Sequence, residues 1–302
     1  MTVSSLSPFE LAARLQRGLF LRTGSFIIKL QTTIPGVREG IGLLYADYPL
    51  APEEFADFHV TLSRPFSLRR WFKSQVLFQL EGVSPFSPLP YDQSFPMLEW
   101  GLNWCVSYHA NDYLIIHAAV VEKNGHSAIL PAPPGSGKST LCAALINRGW
   151  RLLSDELTLI RISDGAIVPL PRPVSLKNAS IGIIKKYVPG AIFSREVTDT
   201  VKGTVAHMKP SADSVSRAAE TAKPGWIIFP QYQAGAASKL EAIPKSRAFM
   251  RVADNAFNYS LLGQSGFEVL AKLIDKSEAY DFTYSVLDEA IACFAALEEP
   301  SL

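Results

Sequence analysis

Cysteine is scarce in this chain: three in 302 residues, at 105, 142 and 293, with no C-x-x-C pair. That excludes a disulfide-stapled scaffold and a cysteine zinc site, and it favours a reducing compartment. Charge excess is missing as well. Lys plus Arg number 29 and Asp plus Glu 28, a net charge of +1. Such a balance argues against a general binder of nucleic acid or acidic polymers. No apolar run reaches the length of a membrane span. The N-terminus lacks the basic-then-apolar order of a secretory signal. Internal repeats and low-complexity tracts are also lacking. The expectation is a cytoplasmic, soluble protein with neither a nucleic-acid nor a membrane partner. What is present is an ordinary globular mixture, 48% hydrophobic and 19% charged. At roughly 150 residues per domain the length suits two domains.

Punctuation residues divide the chain. Ser7-Pro8-Phe9-Glu10 reads as a capping box with proline at the first helical position. Short runs rich in β-branched and aromatic residues follow at Phe26–Leu30, Ile41–Ala46, Phe58–Leu62 and Gln75–Leu80, and these read as strands. The proline-rich stretch 84–96 marks a boundary. It separates a β-rich domain, 1–96, from a second domain, 97–302. Residues Met97–His109 read as a helix with Trp100 and Trp104 packed on one face. Beyond it, strands (113–121, 127–130, 151–154, 157–162, 226–229, 239–243, 280–285) alternate with helices (141–147, 247–258, 266–276, 286–297). Turns are expected at Lys123-Asn124-Gly125 and Asp164-Gly165. This order describes a mixed α/β domain.

Residues 132–139 read Ala132-Pro133-Pro134-Gly135-Ser136-Gly137-Lys138-Ser139, followed by Thr140. This fits a phosphate-binding loop with Ala132 where glycine is usual. Gly135 and Gly137 permit backbone angles closed to other residues. Successive N–H groups can then turn inward on an anion, in line with the N-terminus of the next helix. Lys138 reaches β- and γ-phosphates, and the Ser139 hydroxyl suits Mg²⁺. Pro133 and Pro134 stiffen the approach but bring no donors. An apolar strand before the loop and an apolar helix after it are the placement this motif requires.

Asp155 and Glu156 follow the apolar strand Arg151–Ser154. A carboxylate at a strand end beside a phosphate loop is the usual second Mg²⁺ anchor. Two adjacent acids allow one to hold metal while the other accepts a hydroxyl proton; a solvated acidic turn is the plainer reading. His117 lies in the strand preceding the loop, where it is either a satisfied core residue or an imidazole delivered near Asp155. The stretch 171–230 carries nine Lys and Arg against four acids, a field suited to phosphate or an acidic peptide. Arg172 and Lys177 stand out there, because Pro171 and Pro173 fix the backbone around them.

His117 before a hairpin, then Pro134 to Ser139, then Arg148-Gly149-Trp150-Arg151-Leu152-Leu153-Ser154-Asp155-Glu156, resemble the HPr kinase/phosphorylase catalytic domain. They are more similar still to the HPr-kinase-related proteins found beside peptide-modification genes, often called HprK-related kinase A. The resemblance spans about 97–260 and is densest over 112–184. It implies a P-loop kinase core akin to phosphoenolpyruvate carboxykinase, with His117 beside the acids. Asp155 and Glu156 then stand where the family has paired aspartates, and either is the candidate base. Glutamate at the second position lengthens that carboxylate's reach. Lys177, within Leu176-Lys177-Asn178 through Ile181-Gly182-Ile183-Ile184, stands where a metal-binding glutamate is usual. The lysine replaces a metal ligand by a phosphate contact, so neither HPr as substrate nor the reverse phosphorylase reaction is carried over.

The expectation is therefore an α/β protein with a P-loop kinase core and a smaller β-rich α+β N-terminal domain. It would transfer phosphate from ATP or GTP, with Mg²⁺, to a hydroxyl of a peptide or small-protein partner; a homo-oligomer is compatible. The catalytic candidates are His117, Lys138, Asp155 and Glu156. The nucleotide-binding candidates are 132–140 and Lys177, and the metal candidates are Ser139 and Asp155. A nucleotide-dependent scaffold of a peptide-processing assembly and a small-molecule kinase are the alternatives.

Overall fold

The first helix, α1 (Pro8–Arg17), starts on the expected capping box: the Ser7 hydroxyl accepts from the Glu10 amide, and the Glu10 carboxylate accepts from the Ser7 amide. The computed structural model describes residues 1–65 and 73–300. Strands β1 (Leu19–Thr23) and β2 (Phe26–Thr32) form a hairpin. Helix α2 (Pro35–Leu44) crosses over to β3 (Phe58–Ser63), which lies parallel to β2. Strands β4 (Gln75–Leu80) and β5 (Leu89–Pro90) complete a five-stranded sheet in chain order.

Here the expected strand Ile41–Ala46 is corrected: residues 41–44 close α2. Pro35 opens that helix, and Val37, Ile41 and Leu44 then fall on one buried stripe at helical spacing. The local β-like composition of 41–46 gives way to that longer-range period.

Helix α3 (Ser94–His109) begins inside the proline-rich stretch, with Pro96 in its first turn, where a missing N–H costs nothing. Its Leu98, Leu102, Cys105 and Val106 share one core with α1, α2 and the first sheet. The 96/97 division thus falls within a helix. Leu157, Leu159, Val168 and Leu170, far along the chain, join the same core.

The long strand β6 (Tyr113–Lys123) turns at Asn124-Gly125, both with positive φ as expected of this hairpin, into β7 (His126–Pro131). Then follow α4 (Lys138–Ile146), β8 (Arg151–Ser154), β9 (Leu157–Arg161) and β10 (Ile167–Val168). A small sheet of β11 (Val174–Lys177), β12 (Val197–Thr200) and β13 (Gly203–Met208), ordered β11-β13-β12, carries α5 (Ala179–Tyr187) and leads to α6 (Ala212–Ser216). The chain returns through β14 (Lys223–Tyr232) and β15 (Lys239–Ala242). It ends with α7 (Lys245–Asp254), α8 (Tyr259–Leu262), α9 (Gln264–Asp275), β16 (Glu278–Tyr284) and α10 (Leu287–Ala295).

The large sheet runs β10-β9-β6-β7-β14-β16-β15, with β8 also on β6. Its centre is parallel (β7/β14, β14/β16) and its flanks antiparallel. Alternate β6 residues face opposite ways. Ala119 and Val121 pack with α4 and α10, whereas Ala118 and Val120 pack with α7 and α9. Both faces are covered, so the strand is apolar without alternation. The helix expected over 247–258 ends at Asp254. Residues 255–257 lie against β6 instead, the His117 amide donating to the Asn255 carbonyl (2.8 Å) and the Phe257 amide to that of Ile115 (2.8 Å). The architecture is mixed α/β, and no helix among the described residues is long and apolar enough to cross a membrane.

Candidate functional site

Strand β7 lies between β6 and β14, and the loop from its end to α4 emerges at the edge of the covered sheet. Gly135 and Gly137 have φ of 88° and 87°, in the left-handed region that favours glycine. A Cβ at Gly137 would strike the Tyr284 hydroxyl, which donates to the Gly137 carbonyl (3.0 Å). A Cβ at Gly135 would meet nothing, so that backbone faces open space. The Tyr232 amide donates to the Ser136 carbonyl (2.9 Å), tying the loop to β14 as well. Ala132 is buried beneath the loop, while Pro133 and Pro134 are exposed. Thr140 donates its hydroxyl to Ser180 on α5 (2.9 Å) and so joins two helices.

Lys138 is the first residue of α4. It is 8% exposed, and among the described residues its Nζ has no hydrogen-bond acceptor. Burial pushes its pKa down, against the pull of Asp155 and Glu156. A buried ammonium without an acceptor is costly unless something anionic meets it.

The two acids occupy different surroundings although adjacent in sequence. Asp155 is 4% exposed; its Oδ2 accepts from the Ser175 amide (3.0 Å), and its Oδ1 has no hydrogen-bond partner among the described residues. Burial, then the like charge of Glu156, raises its pKa to about 6, opposed by Lys138, the Ser175 amide and the Ser139 hydroxyl. Glu156 reaches outward. Its Oε1 lies 3.9 Å from Lys177 Nζ and its Oε2 4.0 Å from His117 Nε2. Burial would raise its pKa, but Lys138, Lys177, Lys202 and His117 outweigh burial and hold it low. His117 is half-buried with its ring 5.6 Å from Phe257. Burial and then Lys138 lower its pKa to about 4, leaving it neutral at pH 7. Thus Lys138, Asp155, Glu156, His117 and Lys177 gather as one cluster, and His117 approaches Glu156.

Behind the acids, Trp100, Asn103, Glu99, Arg172, Ser175 and His207 surround a cavity of about 20 Å³, enough for one water-sized group. The lining holds several buried polar atoms without protein partners: Trp100 Nε1, Asp155 Oδ1, Arg172 Nε, Ser175 Oγ and both His207 ring nitrogens. The sequence reading of two regions is corrected here. Trp104 packs into the apolar core as expected, but Trp100 lines this cavity. Arg172 is not a free surface cation: it is buried and paired with Glu99 (2.6 Å) and Asn103 (3.0 Å), with only its Nε left unpartnered at the cavity wall. Much of the basic field of 171–230 is likewise neutralised, Lys185 by Glu196 and Lys209 by Asp47. Lys202, singled out by no motif, sits with Lys177 near Glu156; only its membership of that basic stretch hinted at it.

No protein-family model matches the chain, and no curated protein matches it. Among the described residues no group of three or more His, Cys, Asp and Glu is placed to hold a metal ion. Mg²⁺ is also bound in another way, by few protein oxygens together with substrate phosphates. The partnerless Oδ1 of Asp155 and the neighbouring Ser139 hydroxyl are hard oxygen donors at the loop.

Proposed function

We propose that the protein is a nucleotide-dependent phosphotransferase with a P-loop core of the HPr-kinase kind. It would move the terminal phosphoryl group of ATP or GTP to a hydroxyl of a peptide or small-protein partner. The observation that carries this reading is Lys138: a buried ammonium without an acceptor, at the head of a helix, under two glycines in left-handed conformation. A polyphosphate would supply the missing anion.

Ser139 and Asp155 would hold Mg²⁺, which when bound neutralises phosphate charge. The loop amides and Lys138 position the phosphates and stabilise charge on the transferred group. The acceptor oxygen attacks the terminal phosphorus in line, the bond to the bridging oxygen breaks, and the nucleoside diphosphate leaves. The acceptor's proton passes to Glu156, the more accessible of the two acids. Its low pKa rises when phosphates occupy the lysines that hold it down, so the base is armed only with nucleotide in place. Neutral His117 stands 4.0 Å from that carboxylate, within reach of it once a substrate closes the site.

Lys138→Ala tests the reading. Nucleotide binding and phosphoryl transfer, followed by calorimetry and by label transfer from ATP to a candidate acceptor, should both be lost while circular dichroism is unchanged. Turnover like that of the unmodified protein would remove the nucleotide site. Binding without transfer to any acceptor in the unmodified protein would instead favour a nucleotide-dependent scaffold.

A further inference from the structure

The turn between β12 and β13 brings a cation to the site that no motif contains. Thr200 shapes this turn: its hydroxyl donates to the Gly203 carbonyl (2.6 Å) and accepts from the Lys202 amide (3.0 Å). On one side the turn is clasped to the end of β11. The Asn178 amide donates to the Thr204 carbonyl (2.9 Å), and the Thr204 amide to Asn178 Oδ1 (3.0 Å). Lys177, immediately before Asn178, is therefore held at a fixed spacing from the turn. On the other side, Gln93 Nε2 donates to the Asp199 carbonyl (3.2 Å), tying the turn to the start of α3.

Lys202 projects from this frame with its Nζ 4.9 Å from the centroid of the Trp100 ring. A cation over an indole face is held by the ring's quadrupole while its N–H donors stay free. Among the described residues its amine forms no ion pair, unlike Lys185 (2.6 Å from Glu196) and Lys209 (2.8 Å from Asp47). Trp100 itself lines the cavity that Asp155 and Glu156 border. The amine thus stands on a residue that lines the acidic cavity, close enough to Glu156, Lys177 and Lys138 to feel their charges, with donors to spare.

We propose that Lys202 contacts the polyphosphate of the bound nucleotide, that Trp100 is the seat which sets its position, and that Lys138, Lys177 and Lys202 form a three-lysine cage around the transferred phosphoryl group. This rests on the nucleotide reading given above and adds a residue to it. Lys202 keeps solvent access, and partial desolvation lowers its pKa, with Lys177 and Lys138 lowering it further against the pull of Glu156, so an anion placed there would meet three neighbouring cations. The cage also assigns α3, which packs with the N-terminal sheet, a part in nucleotide binding.

The test is titration of Mg-ATP, and separately of inorganic tripolyphosphate, into the full chain, followed by calorimetry and tryptophan fluorescence. The variants are Lys202→Gln, Lys202→Arg, Trp100→Leu and Lys138→Ala. Lys202→Gln should weaken both ligands by about ten-fold or more, as loss of a charge-assisted hydrogen bond does. Lys202→Arg should recover most of that affinity. Trp100→Leu should give a smaller loss and remove part of the fluorescence response. Full affinity and rate in Lys202→Gln, with binding lost in Lys138→Ala, would overturn the cage while leaving the nucleotide site standing. A loss that disappears at high salt would reduce Lys202 to long-range attraction and also overturn the contact. No binding of either ligand, or of Mg-GTP, by the unmodified protein would overturn both readings.

Discussion

Asp155 and Glu156 differ by one backbone step, and burial splits their chemistry. The first is enclosed and accepts a backbone amide, whereas the second reaches out to Lys177 and His117. Asp155→Asn should therefore change the Mg²⁺ dependence of nucleotide binding. Glu156→Gln should keep nucleotide affinity and slow transfer, by about 10²–10⁴-fold for loss of a general base. Rates within a few-fold of the unmodified protein for both variants would show that neither carboxylate is catalytic. His207 carries a different prediction, about stability. It is fully enclosed, faces the edge of Phe95 at 5.4 Å, and burial lowers its pKa from 6.5 to about 4. The unfolded chain takes up a proton near pH 6.5 and the folded chain does not until about pH 4, so acidification through that window favours unfolding. The slope from this group is roughly 1.4 kcal/mol per pH unit. In urea melts at successive pH values, His207→Gln should flatten the loss of stability between pH 6.5 and 4; an unchanged slope would show that His207 titrates freely in the fold.

Helix α3 joins the two halves of the molecule, and its fit depends on what it lacks. At Gly101 a Cβ would collide with the Phe78 ring of β4, and at Gly40 of α2 it would collide with Phe95 of α3. Gly101→Ala gains helix propensity but overpacks a closed contact, with an expected net cost of about 1–3 kcal/mol. A thermal midpoint at or above that of the unmodified protein would show that the ring moves aside freely. The same elements show what sequence can reveal. The strand, the glycine loop and the helix it opens were legible because their signal is local: two glycines, a lysine and a serine within a few residues, between an apolar strand and a helix. Asp155 and Glu156 were legible because a strand end is a local feature too. The strand expected at Ile41–Ala46 fails because burial of Val37, Ile41 and Leu44 outweighs composition. The meeting of Trp100 with Lys202 was not legible because it joins two elements remote in sequence, α3 and the β12–β13 turn. The small sheet β11-β13-β12 and the helix α5 that it carries also lacked clear punctuation.

At the scale of the whole molecule the first five strands and the large sheet share apolar contacts, and buried polar links reinforce them. Tyr45 donates to Glu99 (2.7 Å), Tyr48 to the Pro171 carbonyl, and Arg172 closes on Glu99. A chain of residues 97–302 alone would expose the α3 face and leave Arg172 and Glu99 beside newly opened surface. It should aggregate or stay unfolded, and the full chain should melt in one calorimetric transition. Two resolved transitions would mean that the halves fold independently. The glycine loop before α4 shows the same dependence along the chain in time. Its residues leave the ribosome well before their partners do: β14 brings the amide that holds Ser136, and the clasp on Gly137 comes from Tyr284, 147 residues downstream. During synthesis the loop has its sequence long before it has its shape. On the proposed reading, a nascent chain halted ahead of β16 should thus be blind to nucleotide, so that nucleotide binding would begin only after β16 has been made.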